Sequence, residues 1–185
     1  MPKPTLVEGD VTMKQTLRQR STLIAILAAV AVPLHLWVLL LLAASMPQWL
    51  LRLTPMQLVG SVSYSLAFAL LETLIVFAVV LGLLFILPKR LVGTAPVPLA
   101  AVAVALTLLL MIWVILTTFA QQTRLLLGFA VYLVLLAVGV IALRRSSRLA
   151  RGVAAVVDRL IPLALLYIFL DILGVIVVII RNVFA

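Results

Sequence analysis

Three ionisable side chains, His35, Glu72 and Asp171, each stand near the middle of a different long apolar stretch. An imidazole and two carboxyl groups can exchange protons, take up a cation, or join helices through hydrogen bonds. In a bilayer each would lie near the midplane, where a charge costs about 2.5–3.5 kcal/mol on insertion scales, so such residues face the bundle interior and pair there. Tyr167 precedes Asp171 by four residues, and a phenol one turn away can donate a hydrogen bond to the carboxyl group. These four residues form the expected polar centre, serving either helix pairing or ion coupling.

Other chemistries are poorly supplied. With one histidine and no cysteine there is no HExxH, no paired-His metal site and no Cys–His dyad. Ser61, Ser63 and Ser65 cluster near one end of an apolar run, but no GxSxG elbow accompanies them. Nothing in the spacing requires His35, Glu72 and Asp171 to converge on a metal. The chain is therefore expected to be non-enzymatic, with no cofactor and no metal.

The elements that must position these groups follow from composition. Hydrophobic residues make up 66% of the 185-residue chain and charged residues only 10%, against roughly 25% charged in a soluble domain. Apolar runs cover residues 22–44, 62–87, 97–120, 125–143 and 161–180, and about 20 residues suffice to span a bilayer as a helix. Backbone groups in lipid must be satisfied within the segment, and these runs are too long for barrel strands. The expected fold is an all-α polytopic bundle of five transmembrane helices at residues 22–185, preceded by a basic segment at 1–21. The basic stretch leading into the first run resembles a secretory signal, but the run exceeds an h-region of about 7–15 residues, so an uncleaved helix is expected.

Charge placement predicts the orientation. Lys3, Lys14, Arg18, Arg20, Lys89, Arg90, Arg144, Arg145, Arg148, Arg151 and Arg159 fall in alternate connections, whereas Arg52, Arg124 and Arg181 fall in the others. The positive-inside rule then puts the N-terminus in the cytoplasm and the C-terminus outside. Glu8 and Asp10 in the leader argue against a mitochondrial presequence and favour a prokaryotic cytoplasmic membrane. The net charge of +9 is read as topogenic and lipid-facing, with no nucleic-acid partner.

Two connections carry a pattern of their own. Over 144–160 a helical wheel gathers Arg144, Arg148, Arg151, Asp158 and Arg159 on one face and Leu149, Val153, Val156, Val157 and Leu160 on the other, either an in-plane helix contacting anionic lipid headgroups or a plain connector. Around Trp49, the segment 47–58 is expected to be an interfacial loop. Gln121, Gln122 and Arg124 form a short hairpin tip, which makes the third and fourth spans antiparallel neighbours.

Packing surfaces are marked by small residues. Ser61, Ser65, Ala69 and Thr73 repeat every four positions, a ridge that lets another helix approach closely. Glu72, three residues from Ala69, is expected on that ridge's side, toward the packed neighbour. Ala28 and Ala31 share a face with His35, Pro33 frees a carbonyl one turn earlier, and Gly174 shares a face with Asp171. The expected role is a structural or accessory subunit of a membrane assembly, in contact with lipid, other membrane proteins or a second copy. The alternative is a small proton- or cation-coupled transporter using Glu72 and Asp171.

Overall fold

The computed structural model describes residues 20–86, 96–117 and 122–184. They form five helices: α1 Arg20–Arg52, α2 Pro55–Ile86, α3 Pro96–Thr117, α4 Gln122–Arg145 and α5 Ser147–Phe184. All five are long and apolar enough to cross a membrane, and the protein is a polytopic membrane helical bundle. Lys3, Lys14, Arg18, Lys89, Arg90 and Gln121 lie outside the described residues, as do the side chains of Gln122 and Arg124.

Successive helices run antiparallel. Ile26 clusters with Leu84, and Val30 and Leu34 pack with Val76, Phe77 and Val80, so α1 and α2 run in opposite directions. On α3 and α4 the Thr107 and Tyr132 hydroxyls meet at 3.3 Å, and a Cβ at Gly139 would touch Val102. Gly174 of α5 faces Ser63 and Leu66 of α2, and Tyr64 donates to Asn182 Oδ1 at 3.0 Å, again antiparallel. By contrast α1 and α5 run parallel, with Ala25 to Val32 alongside Val157 to Ala164. The alternation gathers Arg20, Arg144, Arg145 and Arg148 at one end and Arg52 and Arg181 at the other.

The core is built around α1, which packs against α5 and α3 on one side and against α2 and α3 on the other. The Ala-rich stretch of α1 is buried through Ala28, Ala29, Val30 and Ala31, because methyl-sized side chains let neighbouring backbones come close. The outward faces are apolar as well, with Leu40, Phe68, Leu127 and Ile179 exposed. Such surface is at home only against lipid tails or another membrane protein.

Local signals set the helix ends. Thr54 caps α2: its Oγ1 accepts from Gln57 N at 3.4 Å, and its own N–H donates to Gln57 Oε1 at 2.9 Å. Pro55 stands at the first helical position, where a missing N–H has no consequence. Ser146 alone separates α4 from α5, and its Oγ accepts from Leu149 N at 3.3 Å.

Two boundaries differ from the sequence reading. The basic segment after the fourth span is not a separate in-plane helix; it is the beginning of α5, whose 38 residues extend about 57 Å. Pro162 lies inside this helix without ending it. The apolar side of the segment is shared out: Val157 is buried and Leu160 packs beside it against α1, while Leu149 and Val156 are exposed. On the opposite end, residues 47–52 continue α1 through Pro47, leaving only Leu53 and Thr54 between α1 and α2. The expected interfacial loop is therefore a helical extension, with Leu50 and Leu51 exposed on it.

Candidate functional site

His35 and Asp171 meet in the core. His35 lies midway along α1 and Asp171 in the second half of the longer α5, and the parallel packing of those helices brings them level. The imidazole Nε2 lies 2.7 Å from Asp171 Oδ2, and Nδ1 lies 2.8 Å from the Ala31 carbonyl oxygen. A carbonyl only accepts, so Nδ1 carries a proton. The proton between Nε2 and Oδ2 can belong to either atom, and the pair is electrically neutral in both cases. A linked neutral pair escapes the penalty that an isolated midplane charge would meet.

The pair is sealed. His35 is 1% exposed and Asp171 0%. Tyr167, one turn before Asp171, lays its ring on the imidazole with centroids 4.9 Å apart and planes 5° from parallel. It does not donate to the carboxyl group, as its position in sequence suggests; Asp171 Oδ1 is buried without a hydrogen-bond partner. Stacking holds the imidazole plane instead, worth about 0.5–1.5 kcal/mol beyond burial.

Glu72 stands apart from this pair. It sits midway along α2 and is exposed, rather than facing a packed neighbour within the chain. The reason is a matter of rows. The buried line of α2 runs through Ala69, Thr73 and Leu84, that is, first along an i+4 step, whereas Glu72 follows Phe68 and precedes Ile75, which are 61% and 54% exposed. One position on a helix is about 100° of rotation, enough to carry Glu72 from the seam to the outer surface.

The small-residue ridge of α2 is split between burial and the seam edge. Ala69 and Thr73 are buried, Ser61 and Ser65 half-buried. The Ser61 and Ser65 hydroxyls donate back to the carbonyls of Gln57 and Ser61, each at 3.0 Å, so they are satisfied inside their own helix. The closest approach to α5 uses Ser63 and Gly174: a Cβ at Gly174 would lie 2.9 Å from Leu66 Cβ and 3.1 Å from the Ser63 carbonyl oxygen. Gly60 similarly lies under the Arg181 guanidinium. The ridge read from sequence includes neither Gly60 nor Ser63, because their spacing of three falls outside the i, i+4 pattern that marks such ridges. Thr73 Oγ1 is also buried with no partner.

Arg144, Arg148, Arg151 and Arg159 are all exposed. Arg151 Nε donates to the Ser147 carbonyl at 3.3 Å. Among the described residues no group of three or more His, Cys, Asp or Glu side chains is close enough to hold a metal ion. A more open region lies between α2 and α4: an apolar groove of about 750 Å³, floored by Leu34 and Val104 and ending at Arg144. Compared with protein-family models, curated proteins and solved structures, the chain finds no match in any of the three, and the site is read from its geometry.

Proposed function

We propose that this membrane protein is a non-enzymatic subunit of a membrane assembly, structural or accessory, which meets a second membrane protein or a second copy through the face of α2 around Glu72. The observation that carries the reading is the exposure of Glu72 midway along an apolar helix. Ionisable groups at that depth almost always face protein, and a carboxyl group directed at lipid tails lacks the partner that another helix would supply. Such interhelical hydrogen bonds contribute about 0.6–2 kcal/mol. The non-enzymatic part rests on His35: a general base needs one ring nitrogen free to face its substrate, and both nitrogens here are engaged.

The test is association in mild detergent, with partners identified by mass and the complex followed by cross-linking. Glu72→Gln keeps a hydrogen-bonding group and should retain the complex. Glu72→Leu should weaken it roughly threefold to thirtyfold, the equivalent of one interhelical hydrogen bond. A chain that is recovered from native membrane without a partner and is monomeric at every concentration, with or without Glu72, removes the reading.

The orientation belongs to the same proposal. The end carrying Arg20, Arg144, Arg145 and Arg148 is assigned to the cytoplasm of a prokaryotic cell, by the positive-inside rule. Cysteines at Ser146 and Gln48 should then label from opposite faces, with Gln48 reached from outside. Labelling of both from one face contradicts it.

A second reading, proton- or cation-coupled transport, draws on the unpartnered Asp171 Oδ1 and Thr73 Oγ1, since buried polar atoms without protein partners mark many ion paths. Reconstituted vesicles under a pH or sodium gradient decide it. Flux that disappears in Asp171→Asn, in a protein that still folds, supports transport; no flux in the unaltered chain discards it.

A further inference from the structure

We propose that the groove between α2 and α4 is a lipid site that takes one acyl chain of an anionic phospholipid, with Arg144 binding the phosphate. The walls are Ile75, Val79 and Leu83 of α2 and Leu133, Leu136 and Ala137 of α4, helices that make no extensive contact with each other. Its floor is Leu34 of α1 and Val104 of α3, 8% and 5% exposed, so the groove reaches inward to the central helix. A volume of about 750 Å³ falls within the range of ligand-sized sites.

Charge and length choose the occupant. Arg144 is the single charged residue in the lining, sits at the basic end of the bundle beside Arg145 and Arg148, and makes no ion pair with any described residue. Along α4 the lining runs from Arg144 to Tyr132, twelve residues or about 18 Å. Half of a 30 Å hydrocarbon core is about 15 Å, so the groove is one leaflet deep and its cation stands at headgroup level. A helix from a partner would need both leaflets; an acyl chain needs one. At the inner end the polar groups turn to each other, Thr107 Oγ1 donating to the Ala103 carbonyl at 2.8 Å and meeting the Tyr132 hydroxyl at 3.3 Å. What is left facing the groove is hydrocarbon, closed at one end by a guanidinium, which matches a phosphate with a chain attached.

The experiment uses the full chain in detergent, titrated with phosphatidylglycerol and read by native mass spectrometry, with phosphatidylcholine and inorganic phosphate as competitors. One phosphatidylglycerol should remain bound per chain, phosphatidylcholine should bind about tenfold more weakly, and inorganic phosphate should displace neither. Arg144→Gln should remove the preference for the anionic lipid and Arg144→Lys should keep most of it. Ala137→Trp fills the groove and should expel both lipids, while Val138→Trp, outside the lining, should leave them bound. Because a bulky residue can disturb folding, a photo-crosslinking residue in place of Leu136 provides a second readout and should capture the acyl chain. Equal binding of both lipids by the unaltered chain and Arg144→Gln overturns the headgroup assignment. Lipid retained in Ala137→Trp, displacement by phosphate alone, or capture of a second polypeptide from Leu136 overturns the chain assignment.

Discussion

His35 with Asp171 and Glu72 on its own are ionisable groups at similar depth in the bundle, yet the fold treats them in opposite ways. The pair closes on itself at 2.7 Å in a fully buried seam between α1 and α5. Glu72 points outward from α2 among exposed Phe68, Leu71 and Ile75. Depth along a helix alone therefore does not decide whether a polar group is enclosed or faces outward; the row it occupies does. The pair has its partner within the chain, and we propose that the partner of Glu72 lies outside it.

The largest expected effect comes from breaking the pair on one side. His35→Leu leaves both oxygens of Asp171 buried without a donor, and removing one member of a buried polar pair costs about 3–5 kcal/mol. The double replacement His35→Leu with Asp171→Leu should recover most of that loss, since an apolar seam leaves no orphan. Unfolding in mixed micelles, followed by circular dichroism against added SDS, measures both. A double variant no better than His35→Leu would show that the residues do not act together.

A smaller loss is expected from the steric side of the same seam. At Gly174 a branched side chain meets the Ser63 carbonyl, 3.1 Å from a Cβ, and a helix backbone yields less readily than a side chain. Gly174→Val should destabilise by about 1–3 kcal/mol, measured in the same way. An unchanged midpoint would place the close approach of α2 and α5 elsewhere. The smallest effect belongs to Glu72: as an exposed position, Glu72→Leu should alter unfolding of the single chain by no more than about 0.5 kcal/mol. A large loss of stability in that variant would erase the contrast between the two regions.

How far the sequence disclosed this arrangement depends on the range of the interaction. Five helices were legible because a run of about 20 apolar residues has few other solutions in lipid. The boundary at 144–160 was not, since the amphipathic segment and the fifth span share one helical period and Pro162, the residue most suited to separating them, lies inside α5. Ala28 and Ala31 were read from their spacing and are buried beside α5, a local inference. The Glu72 face failed for an equally local reason: i+3 and i+4 neighbours diverge over two turns, and Ala69 and Thr73 define the other row. Which of the three ionisable residues would meet was beyond reach, because helix order in space is fixed by contacts between segments far apart in the chain. The stacking of Tyr167 on His35 depends on that same arrangement.

The link between the first helix and the last bears on how the protein is made. His35 precedes Asp171 by 136 residues, and at about 5–20 residues per second the ribosome takes roughly 7–27 s to cover that distance. Throughout that interval α1 carries an imidazole whose permanent partner has not been synthesised. The bundle is completed only when α5 arrives beside it, so a polypeptide halted before Asp171 retains a visible mark of incompleteness within its first helix, available to the proteases and chaperones that survey newly inserted proteins.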